Sequence, residues 1–142
     1  MRATKMLWVA VPVVFLITIV MALWGPGSKR GPASKLRQIV VKADPLKPDD
    51  VKRARQKIDE IYKKLENGAN FAELAINASE ALNASDGGDM GWIGRGILPP
   101  RLEDVAFQLE PGQYSDIIVE DSGNPLIYRI LYVEKRHGSK LF

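Results

Sequence analysis

Cysteine is absent from this chain of 142 residues, and histidine occurs only once. Without cysteine the protein can form no disulfide, no thiolate nucleophile and no cysteine-based zinc site. The single histidine, His137, lies in a polar stretch near the C-terminus, away from any cluster of metal ligands. We therefore expect no metal site.

A concentrated excess of one charge sign is also missing, since the net charge is only +3. The lysines and arginines of residues 52–64 are interleaved with acidic residues, which is typical of a solvated helix face. A nucleic-acid binder would normally carry a basic face with stacking aromatics. We expect no nucleic-acid partner.

Glycines at positions 91, 94 and 96 have a spacing that superficially suggests a nucleotide loop. The segment lacks the Gly-Lys-Ser/Thr ending of a P-loop and does not open a βαβ unit. Turn glycines explain the pattern better. We expect no bound cofactor.

Near the N-terminus an uncharged, largely apolar run extends from Met6 to Trp24. Its length is close to the ~20 residues that a membrane-spanning helix needs, and Trp8 and Trp24 lie near its ends, as interfacial indoles do. A cleaved signal peptide is the alternative, but the bulky Trp24 stands where a small residue is wanted. Residues 1–24 are therefore predicted to be a retained transmembrane anchor in a single-pass membrane protein.

A linker is predicted over residues 25–35, where two Gly-Pro pairs can neither hold a helix nor pack a core. More lysines and arginines follow the apolar run than precede it. By the positive-inside rule this count favours a cytoplasmic location for the C-terminal side.

Residues 36–136 read as one domain, followed by a polar tail at 137–142. Periodicity and breaker residues predict strands at 36–42, 90–93, 115–120 and 126–134, and helices from about 49 to 66, from 71 and from 100. Asn70 is expected to cap the second helix, and Asp49 or Asp50 the first. The order β-α-α-β-α-β-β predicts an α+β domain with a small, mostly antiparallel sheet.

Two stretches of this domain carry a family pattern: NGANFAELAINAS, residues 67–79, and GGDMGWIGRGILPPRLEDVAFQLEPGQYSDIIV, residues 87–119. Their motifs, in this order and spacing, resemble the parvulin (PpiC-like) family of peptidyl-prolyl isomerases. The resemblance implies a parvulin-like fold, a proline-containing polypeptide as partner and cis/trans isomerisation as the chemistry.

The polar centre of that family is altered in this chain. Gln38 stands where the first strand often has a histidine, and Arg129 where the last strand has another. A one-residue slip in the alignment would place Tyr128 there instead and would exchange the faces of the strand. Ala81 occupies the position that is usually Cys or Asp. These three substituted positions are the candidate catalytic site, and they leave isomerase activity open.

The apolar positions keep their character. Met90, Leu98 and Leu102 match residues that form the proline pocket in the family, and we count Phe107, at the end of the Ala-Phe helix, as a further substrate-binding residue. If the first three line a pocket, they should be partly exposed at one concave patch. The alternative is that they only fill the core, as apolar residues usually do.

Three functions fit these residues. The first is a membrane-tethered prolyl isomerase acting on exported or membrane proteins. The second is a parvulin-like chaperone or peptide-binding module with weak or no catalysis. The third is an accessory subunit of a larger membrane complex. Relatives with one anchor usually work outside the cytoplasm, so the resemblance favours an extracytoplasmic domain against the charge count.

Overall fold

The computed structural model describes residues 31–138. The predicted anchor lies outside the described residues, as do the first part of the predicted linker and the last four residues of the chain. Within residues 31–138 no helix has both the length and the apolar character needed to cross a membrane.

A four-stranded antiparallel sheet organises the described residues. The strands are β1 (Ala33–Ala43), β2 (Asp89–Gly94), β3 (Ile118–Glu120) and β4 (Leu126–His137). They are arranged in the order β2-β1-β4-β3, so the two long strands lie at the centre. β1 begins inside the segment predicted as linker, and β4 reaches the first residue of the predicted tail.

Three α-helices connect these strands: α1 (Pro48–Glu66), α2 (Phe71–Ala78) and α3 (Pro100–Gln108). A short 3-10 helix, Ala84–Asp86, lies in the loop between α2 and β2. The order β-α-α-β-α-β-β and the α+β class are therefore confirmed.

The ends of α1 and α2 follow local chemistry. Gly68 follows α1 with a φ of +86°, the left-handed conformation that commonly ends a helix. Asn70 caps α2 as predicted, since its side-chain oxygen accepts a hydrogen bond from the backbone N–H of Glu73. The predicted cap of α1 is wrong, because Lys47 holds the N-cap position. Asp50 instead accepts a hydrogen bond from the backbone N–H of Asp44 at 2.8 Å.

Strand β3 is shorter than predicted. The backbone N–H of Ser115 donates to the Leu131 carbonyl, and the Ser115 hydroxyl accepts a hydrogen bond from the N–H of Leu131. Tyr114 pairs with Tyr132 in an isolated bridge. Tyr114 and Ser115 thus contact β4 through separate bonds, and the regular ladder starts only at Ile118.

The two faces of the sheet pack against different helices. We call the first the α1/α2 face, where strand residues such as Ile39, Val41 and Ile130 are buried together with residues of α1 and α2. We call the second the α3 face, where Leu36 and Leu131 pack with α3 and a smaller apolar cluster forms. Alternation along each strand assigns neighbouring residues to opposite faces.

Candidate functional site

Gln38 and Arg129 meet on the α3 face of the sheet. Arg129 lies opposite Val40 in the β1–β4 register, and Gln38 lies opposite Leu131, so the two side chains are diagonal neighbours. The Nη1 group of Arg129 donates a hydrogen bond to Oε1 of Gln38. Tyr128 is only 5% exposed and packs on the α1/α2 face. Arg129, and not Tyr128, therefore shares a face with Gln38.

The charge of Arg129 is paired with Glu120 of β3. The distance from Arg129 Nε to Glu120 Oε2 is 2.7 Å, and the two side chains are 14% and 25% exposed. A largely buried guanidinium is costly without such a partner. Glu120 is thus the acidic partner that neutralises Arg129.

Gln38 also has a partner at the other end of its carboxamide. Its Nε2 donates to Oδ1 of Asn83 at 3.1 Å, and Nδ2 of Asn83 donates to the carbonyl of Asp89 at 2.7 Å. Because a guanidinium can only donate, Oε1 of Gln38 has to face Arg129 and Nε2 has to face Asn83. We call the connected residues Glu120, Arg129, Gln38 and Asn83 the polar chain.

Ala81 adds no side-chain polar group to this chain. Its backbone N–H donates to the Ser79 hydroxyl at 3.2 Å, and the same hydroxyl accepts the N–H of Val40 at 3.0 Å. These bonds hold the start of the loop that follows α2 against β1. The loop is in place, but the third polar position of the family is occupied by a methyl group.

Glu80 reinforces the attachment of this loop. Its carboxylate accepts hydrogen bonds from the backbone N–H of Lys42 and from Nζ of Lys57, both at 2.8 Å. Burial raises the pKa of Glu80, but these hydrogen bonds and the nearby cations outweigh burial and leave the pKa below its ordinary value. Glu80 therefore stays ionised and joins α1, β1 and the loop.

The far end of the loop approaches β1 so closely that a side chain is excluded. The N–H of Gln38 donates to the carbonyl of Gly88 at 2.9 Å. A Cβ built on Gly88 would lie 2.0 Å from the carbonyl oxygen of Gln38, and its φ is +72°. Glycine is needed here on both counts, and the contact fixes the loop beside Gln38.

The apolar candidates separate into two groups. Met90 and Leu98 are partly buried at the edge of the α3 cluster. Leu102 is only 5% exposed and packs with Leu36 and Leu131. The expectation that all three would be partly exposed is wrong for Leu102, because it lies on the side of α3 that packs against the sheet.

Phe107 is partly buried and is flanked by two arginines. The guanidinium carbon of Arg95 lies 4.4 Å from the centre of its ring, and that of Arg136 lies 5.8 Å away. Arg95 is also 3.5 Å from Glu103 of α3. The ring of Phe107 therefore makes cation–π contacts within the domain and stabilises the turn that precedes α3.

Asn83 is a member of the polar chain that the sequence analysis did not indicate. Its contact with Gln38 joins residues separated by 45 positions, so periodicity gives no sign of it. The available signal was local: an amide side chain two positions after Ala81, in a loop that ends in Gly87-Gly88. Such residues commonly bond to nearby backbone.

No group of three or more His, Cys, Asp or Glu side chains within residues 31–138 has a geometry that could hold a metal ion. The site offers amide, guanidinium and carboxylate groups beside an apolar edge.

A protein-family model matches most of the residues that form this sheet and site. The family described as rotamase, the PPIC-type PPIase domain, matches residues 39–135. The chain therefore belongs to the PpiC-type peptidyl-prolyl isomerase family, whose members are the parvulins.

Two curated relatives are chaperones. The chain is 38% identical over 96 residues to the chaperone SurA of Hahella chejuensis, covering 66% of this chain and 21% of SurA. It is 41% identical over 81 residues to the periplasmic chaperone PpiD of Haemophilus influenzae, covering 56% of this chain and 12% of PpiD. The matched regions thus span about a fifth or less of these relatives.

Solved structures agree with the family. The peptidylprolyl isomerase PrsA of Bacillus anthracis has a TM-score of 0.60 and 31% identity, covering 78% of this chain and 45% of PrsA. A crystallised PpiC-type isomerase domain has a TM-score of 0.63 and 26% identity, covering 80% of this chain and 98% of that domain. The parvulin-like fold is thereby confirmed.

Proposed function

We propose that this protein is a peptidyl-prolyl cis/trans isomerase and folding factor that binds proline-containing segments of exported or membrane proteins. The observation that supports this most is Arg129: a donor fixed on the α3 face, neutralised by Glu120 and oriented by Gln38. It takes the position of a family histidine. The partly buried Met90 and Leu98 supply apolar surface for the proline ring.

The reaction needs no nucleophile. Rotation about an X–Pro bond is slow because amide conjugation creates a barrier of about 18–20 kcal/mol. A protein accelerates it by binding the twisted amide more tightly than the planar one. The arrangement required is an apolar seat for the ring and a donor for the rotating carbonyl.

Arg129 can act as that donor. Its guanidinium has further N–H groups beyond those that bind Gln38 and Glu120. Because Glu120 balances the charge, the donor is held on the sheet without an unpaired cation. Each ~1.36 kcal/mol by which it favours the twisted amide gives about tenfold in rate.

A second function, peptide binding with little catalysis, is favoured by a different observation. Gln38 uses both ends of its carboxamide within the polar chain, and Ala81 contributes no polar group. The site then has fewer groups that respond to the twisted amide. In this form the domain is a chaperone module that holds proline segments.

Exchange measurements distinguish the two functions. The full chain in mild detergent would be added to a peptide with one Ala-Pro bond, and cis/trans exchange followed by NMR. We expect acceleration that disappears in the Arg129→Met, Glu120→Gln double variant. Peptide binding without acceleration would favour the chaperone module, and absence of both would contradict the proposal.

We also propose that residues 6–24 anchor the protein in a membrane, with the domain on the extracytoplasmic side. The apolar run supports the anchor, and the periplasmic relative PpiD supports the side. Sodium carbonate washing should leave the protein in the membrane pellet with its N-terminus at or next to Met1. A soluble form that begins near Gly25 would contradict the anchor.

The orientation has its own test. Protease added to intact spheroplasts should digest the domain beyond Lys29, since the enzyme reaches only the outer side of the membrane. Protection of the domain until the cells are lysed would place it in the cytoplasm. Association with a larger membrane complex remains a further part of the proposal, and a stoichiometric partner that co-purifies in mild detergent would support it.

A further inference from the structure

Asn83 lies where the polar chain meets the loop that follows α2. Its side chain has two bonds: Oδ1 accepts from Nε2 of Gln38 at 3.1 Å, and Nδ2 donates to the Asp89 carbonyl at 2.7 Å. Its backbone carbonyl accepts the N–H groups of Asp86 and Gly88 at 3.1 and 2.9 Å. The loop therefore fixes the backbone of Asn83, and its side chain spans the gap to β1.

The direction of these bonds determines how Gln38 can lie. The Asp89 carbonyl can only accept, so it requires Nδ2 of Asn83, which leaves Oδ1 for Gln38. At the other end, Arg129 can only donate and requires Oε1 of Gln38. The orientation of the Gln38 carboxamide is thus fixed at both ends. Flipping either amide would bring two donors or two acceptors together.

Ala81, two residues earlier, cannot make such a contact, since its side chain is a methyl group. From this geometry we infer that Asn83 is a positioning residue that takes over the polar contribution missing at Ala81, by fixing the Gln38 carboxamide and through it the Arg129 guanidinium. The inference rests on the proposed function, since it assigns the orientation of the same site. It concerns orientation, and Asn83 acts through Gln38 without touching the reacting amide.

The first test reads the orientation directly. In the full chain in detergent micelles, the side-chain NH₂ signals of Gln38 should be resolved and protected from exchange with solvent. In Asn83→Ala these signals should move toward the values of a free carboxamide and exchange faster. Unchanged Gln38 signals would overturn the inference, whatever the catalytic result.

The second test reads the effect on the reaction. For the peptide with one Ala-Pro bond, Asn83→Ala should lower kcat about five- to tenfold, the size expected for losing one hydrogen bond that orients Gln38 and Arg129. KM should change little, because the apolar seat for proline is intact. The same substitution in a Gln38→Ala background should have almost no further effect. Equal losses in both backgrounds would overturn the inference.

Two further variants separate positioning from a role in loop stability. Asn83→Asp keeps an acceptor for Gln38 but sets its second carboxylate oxygen against the Asp89 carbonyl, so it should lose its orientation and lower kcat as Asn83→Ala does, with little change in melting temperature. An Asn83→Asp variant that keeps the wild-type kcat would show that the bond to Asp89 does not orient the side chain, and a loss of kcat that only follows a loss of stability would show a role in the loop; either result would overturn the inference. Asn77→Ala, at an exposed asparagine of α2, is the matched control and should leave kcat unchanged.

Failure of the proposed function would be recognised separately. A wild-type chain that neither accelerates exchange nor binds the peptide would overturn that proposal, and the Gln38 signals would still decide whether Asn83 holds the carboxamide. An active wild type with an unaffected Asn83→Ala variant would overturn only the inference.

Discussion

The two faces of the sheet differ although the same two central strands form both. On the α1/α2 face, β4 contributes Tyr128 and Ile130 to an apolar core. On the α3 face the same strand contributes Leu131 and also Arg129, which is linked to Glu120 and Gln38. Neighbouring residues of β4 therefore pack into an apolar core on one face and contribute to an apolar cluster and the polar chain on the other.

This separation has an energetic basis. A face that is covered by two helices gains from removing apolar area from water, about 25 cal/mol per Å². A buried polar chain contributes little net stability and is costly only when it is incomplete. We therefore expect substitutions on the α1/α2 face to change stability, and substitutions in the polar chain to change binding or catalysis more than stability.

The largest effect on stability is expected when a buried leucine of α3 is replaced, and a less buried leucine nearby serves as the comparison. Leu102→Arg would place a charge at a residue that is 5% exposed. This should cost several kcal/mol and unfold a domain whose whole stability is about 5–15 kcal/mol. Leu98→Arg, at a partly exposed position, should leave the domain folded, because a long side chain can direct its charge into water. Thermal melting checks both.

Peptide titration of the folded Leu98→Arg variant then tests the apolar seat. We expect affinity for proline peptides to fall steeply, since the charge lies where the ring would dock. A folded Leu102→Arg protein would show that Leu102 is not part of the core. Unchanged peptide affinity in Leu98→Arg would remove Leu98 from the binding surface.

Several elements followed from local sequence signals, although the predicted cap of α1 was wrong. The apolar spacing along α1, the cap at Asn70 and the start of α3 at Pro100 all depend on residues close in the chain. The start of β3 was not predictable, because Ser115 satisfies its backbone against Leu131, a tertiary contact. In such cases tertiary hydrogen bonds, and not local strand propensity, decide where a strand begins.

The sequence indicated which residues would belong to the candidate site better than it indicated which residues would touch each other. Gln38 and Arg129 were expected to lie together because they match two positions of one family centre. The burial of Leu102 and the part played by Asn83 required the path of the chain between α2 and β2. Asn83 reaches Gln38 across 45 residues, and no pattern within either segment encodes that contact.

A smaller effect on the free energy of unfolding should distinguish Ile130 from the adjacent Arg129 of β4. Ile130→Ala, at a fully buried position of the α1/α2 face, should lower the free energy of unfolding by about 2–5 kcal/mol. Peptide affinity of the folded protein should be unchanged. Denaturant unfolding measures the first quantity, and titration under native conditions measures the second.

The counterpart is the double variant Arg129→Met, Glu120→Gln, which removes both charges and leaves neither one unpaired. It should change stability by about 1 kcal/mol or less, because replacing a buried pair by neutral groups is often nearly neutral. Its effect should be on exchange catalysis. If this variant loses as much stability as Ile130→Ala, the two faces would not differ in the way proposed.

The smallest expected effect is on the pH dependence of stability, and it concerns Glu80. Because the pKa of Glu80 is lowered in the folded protein, its contribution to stability is present above the unfolded pKa, near 4.5, and is lost as the pH falls through the folded value. Glu80→Gln should therefore lower stability at pH 7 by about 1 kcal/mol, for a partly exposed charged hydrogen bond. Melting curves between pH 7 and pH 3 should converge with those of wild type at the acid end.

Glu60→Gln, at an exposed position of α1, is the control and should leave the melting curve close to that of wild type across this range. A constant difference between Glu80→Gln and wild type from pH 7 to pH 3 would contradict ionic stabilisation by Glu80. The loss would then reflect packing or neutral hydrogen bonding in the loop beside β1.

The most direct test of the central claim is a map of where a proline peptide binds. The full chain, labelled with ¹⁵N in detergent micelles, would be titrated with a peptide containing one Ala-Pro bond and with the same peptide carrying alanine in place of proline. We expect saturable shifts at Gln38, Arg129, Met90 and Leu98, weaker for the alanine peptide, and little change in α1 and α2. Shifts centred on α1 and α2, or equal shifts with both peptides, would contradict a proline site on the α3 face.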